Sequence, residues 1–210
     1  MSLARHKVEE KNLFNYRDYF LLPDNGKRYQ IIEGELFMTP PPGTFHQNSV
    51  TQLTGILVLY LNKHPIGKVF CSPIGVVLSD IHVVEPDLVY VSNEKKNLIK
   101  ERGIFGSPDL TVEVLSKGNK KMDRITKFKL YAQFKIPYYW IVDPMGKTME
   151  LYELVKGEYQ LIAKKQGSER ITPSLFPGLE FSLKESAWQF QGTAALLKHS
   201  LPQRRSSDCE

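Results

Sequence analysis

Two acidic residues stand inside short apolar runs, and their types and spacing are suited to holding a cation. Asp87 lies in Glu85-Pro86-Asp87-Leu88-Val89-Tyr90-Val91, and Glu113 lies in Asp109-Leu110-Thr111-Val112-Glu113-Val114-Leu115-Ser116. Asp87 opens its run, a position where a carboxylate stays near water and where Asp after Pro is also an ordinary turn residue. Glu113 is flanked by Val112, Val114 and Leu115, so an ionised carboxylate there costs several kcal/mol, roughly, unless a cation or a donor compensates it. The simplest compensators are a divalent metal and a lysine. Two carboxylates on neighbouring strands offer the hard oxygen ligands that Mg2+ takes, leaving its other positions to water and phosphate. Such an ion polarises a phosphate and lowers the pKa of an attacking water, and a nearby ammonium stabilises the transition state. The bland alternative for Glu113 is an edge-strand acid facing solvent, since Thr111, Glu113 and Leu115 share one face of a strand.

The elements that must position this pair follow from periodicity and turn signals. A short helix is expected over 13–22, stopped by Pro23-Asp24-Asn25-Gly26, followed by strands over 29–33 and 35–38 that bend at Gly34. The first long helix is expected over 46–64, with Val50, Leu53, Leu57 and Leu61 at helical spacing. Strands follow over 69–71, 75–78, 88–91 and 110–115, with a polar stretch over 92–106 that has room for a helical turn. A second long helix over 120–135 would bury Ile125, Phe128, Ala132 and Phe134. A strand over 138–142 comes next, then a hairpin of 148–154 with 159–162 through Lys156-Gly157, and a last strand over 179–183. Tyr138, Tyr139 and Trp140 read as core and sheet surface rather than as base-stacking groups. The expected fold is α/β: a mixed central β-sheet flanked by helices, with an N-terminal hairpin and a β-rich C-terminal extension. The domain division is a flexible leader over 1–12, one domain over 13–190, and a loose basic tail over 191–210.

With 28 Lys and Arg against 23 Asp and Glu, the chain of 210 residues carries a formal charge of +5, compatible with a polyanionic partner. Cys71 and Cys209 are isolated and form neither a disulfide framework nor a zinc site, so both are expected to be reduced thiols of a cytoplasmic protein. The opening residues are polar, and the apolar run 56–61 is too short for a bilayer, so no membrane partner is expected.

Five stretches carry a resemblance: YQIIEGEL (29–36), FHQ (45–47), EPDLVYV (85–91), PDLTVEVLS (108–116) and DRITKFKLYAQFKIPYYWIVDP (123–144). In their order and content they resemble the Uma-type family of restriction endonucleases, within the PD-(D/E)XK nuclease superfamily. The resemblance implies a restriction-endonuclease-like fold and a metal-dependent endodeoxyribonuclease whose partner is DNA. Its acids fall on Asp87 and Glu113, with the carbonyl of Val114 as a further ligand of Mg2+, for which Mn2+ can substitute. The superfamily lysine is expected two residues after Glu113, where this chain has Leu115. In this family the lysine comes from the following helix, which points to Lys127 in a DRxxKxxxY pattern, with Arg124 and Tyr131 on the same face. The family acid after the first tyrosine is Gln30 here; Glu33 and Glu35 remain as candidates for a third carboxylate, and Glu35 matches the family glycine-glutamate pair. His46, at the start of the first long helix, completes the implied catalytic set of Asp87, Glu113, Lys127, Glu35 and His46. Cutting both strands of a duplex calls for two sites, which is compatible with a homodimer. The competing reading is a catalytically inactive nuclease fold that binds DNA or protein, and Leu115 is the residue that supports it.

Overall fold

The computed structural model describes residues 13–186 other than 40, 117 and 119. The expected leader over 1–12 and the tail over 191–210 therefore lie outside the described residues. The chain opens with α1 (Tyr16–Tyr19), capped by the Asn15 side chain, then the hairpin β1 (Arg28–Ile32) and β2 (Glu35–Thr39). Glu33 and Gly34 both adopt positive φ (54° and 72°), the backbone that a two-residue hairpin turn requires. The long helix α2 (Thr44–Lys63) buries Val50, Leu53, Leu57, Tyr60 and Leu61, at spacings of three and four.

Next come β3 (Gly67–Cys71), β4 (Val76–Ser79), β5 (His82–Val84) and β6 (Leu88–Ser92). The polar stretch that follows holds a 3-10 turn (Asn93–Leu98) and two short strands, β7 (Ile99–Lys100) and β8 (Gly103–Phe105), which composition did not announce. After β9 (Leu110–Val114), a π-helical turn (Met122–Lys127) runs directly into α3 (Phe128–Gln133). The chain closes with β10 (Tyr138–Asp143), β11 (Thr148–Val155), β12 (Glu158–Gln166) and α4 (Leu183–Ser186). The strand expected over 179–183 is reduced to an isolated bridge between Ile171 and Phe181 ahead of α4.

This is the mixed α/β architecture expected from the sequence, with its strands divided between two sheets. One has the order β2-β1-β5-β4-β8-β7 and the other β12-β11-β10-β9-β6-β3. In the second, β9 and β10 run parallel, as the helical crossover between them allows, while the other pairs are antiparallel. Its central strands are buried on both faces, which is why β6 and β9 read as nearly continuous apolar runs. One face, through Leu88, Tyr90, Val112, Trp140 and Val142, packs on α2 and on the segment around Phe176. The opposite face, through Val89, Val91, Tyr139 and Ile141, packs on α3 and the first sheet. Tyr139 and Trp140 are therefore core residues, as expected.

Phe176 is fully buried and meets the rings of Tyr90, Tyr60 and Trp140 edge-on at 4.9, 5.6 and 5.8 Å. Truncating a buried aromatic leaves a cavity that its rigid neighbours fill poorly, and Phe176→Ala is expected to lower stability by about 3–5 kcal/mol in urea unfolding. A loss under about 1 kcal/mol would show that the segment after β12 is not integral to this core.

Ile125 departs from the expected buried stripe: it is exposed, while Asp123 and Lys127 are buried. Asp123 and Lys127, four apart, share the face turned to the sheet, and Ile125, two residues from each, lies on the opposite face. Among the described residues no helix is long and apolar enough to cross a membrane. Cys71 is an exposed free thiol, and Cys209 lies outside the described residues.

Candidate active site

Leu88 pairs with Val112 in antiparallel register, so the next step along each strand sets Asp87 beside Glu113 on one face of the sheet. Both are buried, at 2% exposure each. Asp87 is held from three directions. Its Oδ1 accepts from Arg28 Nη1 at 2.9 Å, and its Oδ2 accepts from the Val114 amide at 2.8 Å and from His46 Nε2 at 3.0 Å. A carboxylate only accepts, so the imidazole proton of this contact sits on Nε2, and the buried Nδ1 has no partner among the described residues. Burial works to raise the Asp87 pKa. The hydrogen bond from His46 and the charges of Arg28, His46 and Lys127 outweigh it and hold Asp87 below its ordinary value.

Glu113 Oε1 accepts from Lys127 Nζ at 2.9 Å and from the Tyr131 hydroxyl at 2.7 Å. Lys127 also faces Asp123 Oδ1 at 3.5 Å, one turn earlier on the same helix. The Tyr139 hydroxyl donates to the Asp123 carbonyl at 2.9 Å and ties that turn to β10. Burial, reinforced by the charges of Asp123 and Asp87 and opposed by Lys127 and Tyr131, pushes the Glu113 carboxyl up to about 8. Burial disfavours the Lys127 ammonium, but the charges of Glu113, Asp123 and Asp87 outweigh it and hold the lysine above its ordinary range.

The structure brings together Asp87, Glu113, Val114, His46 and Lys127, on four elements distant in sequence. Leu115, at the usual lysine position, is buried in the apolar core beside Leu130 and Tyr131, and Lys127 presents its ammonium to Glu113 from the helix instead. Glu35 is placed elsewhere: it is exposed at the start of β2, paired with Ile32 across the hairpin. Glu33 is exposed in the hairpin turn.

Three participants were not anticipated. Arg28 reaches over from the first sheet and joins Asp87 to Glu85, donating from Nη2 to the Glu85 carbonyl at 2.7 Å and from Nε to its carboxylate at 3.3 Å. Glu85 also accepts from the Tyr19 hydroxyl at 2.6 Å. Asp123 is the third. Signals for all three existed: polar Arg28 and Gln30 alternate within a buried strand, Glu85 precedes Asp87 by two, and Asp123 precedes Lys127 by four.

The donor chemistry fits a divalent cation. Glu85, Asp87, Glu113 and Asp123 place four carboxylates in one buried cluster against two permanent cations, Arg28 and Lys127. The acids outnumber the cations by two, and with Glu113 pushed up to about 8 a divalent ion is the charge that would let all four ionise. Among the described residues no group of three or more His, Cys, Asp or Glu side chains is arranged to hold a metal ion, so such an ion would rest on fewer protein side chains. An oxygen pair completed by water and phosphate is the arrangement Mg2+ favours.

Two strands from Glu113, Glu150 is buried on the same face, since Ile141 of β10 pairs with both residues. It accepts from Arg124 at 2.7 and 3.3 Å, from Tyr152 at 2.9 Å, and lies 3.1 Å from Lys164 Nζ. Burial raises its pKa, but the hydrogen bonds from Arg124, Tyr152 and Lys164 and the Arg124 charge hold it below its ordinary 4.5. A depressed folded-state pKa contributes stability that is complete above the unfolded value and lost as pH falls through the folded one. Glu150→Gln is expected to melt below wild type at neutral pH, with the gap closing as pH drops past 4.5. A gap unchanged down to acid unfolding would show that the ionised form of Glu150 contributes nothing.

A model of the Uma2 family, described as "Putative restriction endonuclease", matches residues 16–184. Among solved structures, a chain titled as a "putative nuclease belonging to DUF820" from Anabaena variabilis ATCC 29413 is similar, with a TM-score of 0.68 at 18% identity. The match covers 82% of this chain and 97% of that one, and at this identity it shows a shared fold. No curated protein matches the chain.

Proposed function

The chain belongs to the Uma2 family, and from that premise we propose that it is a metal-dependent nuclease hydrolysing DNA phosphodiester bonds at the Asp87–Glu113–Lys127 centre. The observation that carries this reading is the buried Lys127 ammonium on Glu113, beside a second carboxylate on the neighbouring strand. Mg2+, or Mn2+ in its place, would be held by Asp87, Glu113 and the Val114 carbonyl, and would supply charge to polarise the phosphate and acidify a bound water.

The protein's own groups have separate tasks. Arg28, His46 and the Val114 amide hold Asp87 ionised and oriented. Tyr131 fixes the Glu113 oxygen that Lys127 shares. Lys127, kept charged by the surrounding carboxylates, orients the attacking water or stabilises charge building on the phosphate. Glu35, exposed at the hairpin, would assist only through bound substrate or water. A duplex cut on both strands would engage two copies of the chain.

The test is incubation of purified protein with plasmid DNA in Mg2+ or Mn2+, with and without a chelator. Nicking or linearisation that the chelator stops is the expected result. DNA binding without cleavage in either metal would replace this reading with a nuclease fold that binds and does not cut.

A further inference from the structure

We propose that Arg124 and Lys164, held over Glu150, form a phosphate-binding ridge that carries the DNA strand away from the metal centre across the sheet; this rests on the nuclease reading above. Glu113, Ile141, Glu150 and Lys164 are consecutive register partners on β9, β10, β11 and β12, so they form one line across the strands on one face. Three strand spacings separate the ends of that line, about 14 Å. This is roughly four base steps of a duplex at 3.4 Å each. Arg124 comes down onto the line from the π turn that also supplies Lys127.

The charges are arranged to be shared rather than cancelled. Glu150 is a single buried carboxylate under two cations, whose side chains remain 37% and 57% exposed. Arg124 gives one N–H from each terminal nitrogen to Glu150, leaving donors of its five-donor fork for another acceptor. The Lys164 ammonium, 3.1 Å from the same carboxylate, has three donors. Glu150 therefore fixes the position of both groups while a net positive charge faces outward. A purely structural ion pair would need one cation on Glu150, not two with spare donors aligned with the reactive centre.

The experiment measures affinity of the full chain for a short labelled DNA duplex across a salt series, with thermal unfolding of each variant recorded beside it. Arg124→Ala and Lys164→Ala are each expected to flatten the slope of log K against log salt by about 1, the loss of one phosphate contact. Lys164 is largely exposed, so its variant keeps the test valid if Arg124→Ala unfolds. Lys63→Ala is the control: it lies at the far end of α2, about 25 Å along the helix from His46. Its slope should equal that of wild type. Slopes unchanged in both ridge variants of a protein that cleaves DNA would overturn the ridge and leave the nuclease reading. Flattened slopes in a protein that never cleaves would sustain the ridge and remove the nuclease reading. A wild-type protein that binds no DNA would remove both.

Discussion

Lys127→Met is expected to cut the rate of DNA cleavage by about 10²–10⁴ and to destabilise the protein at the same time. The lysine is buried with two carboxylates, Glu113 at 2.9 Å and Asp123 at 3.5 Å. Methionine fills a similar volume but leaves both acids without their cation. Breaking one side of a buried ion pair costs about 3–5 kcal/mol. The observed loss should fall at the low end, because Glu113 is already pushed up to about 8 and can take a proton in place of the lost charge. Glu113→Gln combined with Lys127→Met removes both partners. The double variant should recover stability in urea unfolding and no activity, since a neutral buried pair carries no unpaired charge. Cleavage at the wild-type rate by Lys127→Met would remove the lysine from the chemistry.

Asp87 yields the second large effect, and two substitutions separate its roles. Asp87→Ala leaves Arg28 Nη1, the Val114 amide and His46 Nε2 without their acceptor, at a cost of about 3–5 kcal/mol. Asp87→Asn keeps one oxygen for part of that set, so its stability loss should be smaller. Both should abolish Mn2+ binding by calorimetry together with cleavage, because the anionic donor is gone. His46→Ala retains the carboxylate but loosens its orientation, and is expected to weaken Mn2+ binding about 10–100-fold. Mn2+ bound by Asp87→Asn as tightly as by wild type would place the metal elsewhere.

The geometry also accounts for Leu115. A lysine at that position would project from the same strand face as Glu113, into the apolar core to which Leu115 belongs. In this chain the ammonium arrives from the helix, braced by Asp123. On the proposed reading, the cation that the resemblance expects two residues after Glu113 is supplied instead by Lys127.

Some of this was legible in the sequence because it depends on near neighbours. Glu113 among Val112, Val114 and Leu115 demands compensation in any fold that buries the strand, and the spacing of Val50, Leu53, Leu57 and Leu61 dictates one buried helix face. The resemblance carried the reading further, to Asp87, Lys127 and His46. What remained hidden depends on groups distant along the chain. Arg28 belongs to the other sheet, and nothing in a strand's own residues tells which carboxylate will meet it. Ile125 is exposed and Asp123 buried because the helix turns its 123/127 face, not the face of Ile125, to the sheet, which the contacts with Glu113 and β10 decide and periodicity alone does not. Glu113 was therefore determined by the composition of its own strand, and Asp87 by the resemblance. The excess of acids over cations, and so the case for a divalent ion, was decided only when tertiary structure brought Glu85, Asp123, Arg28 and Lys127 around them.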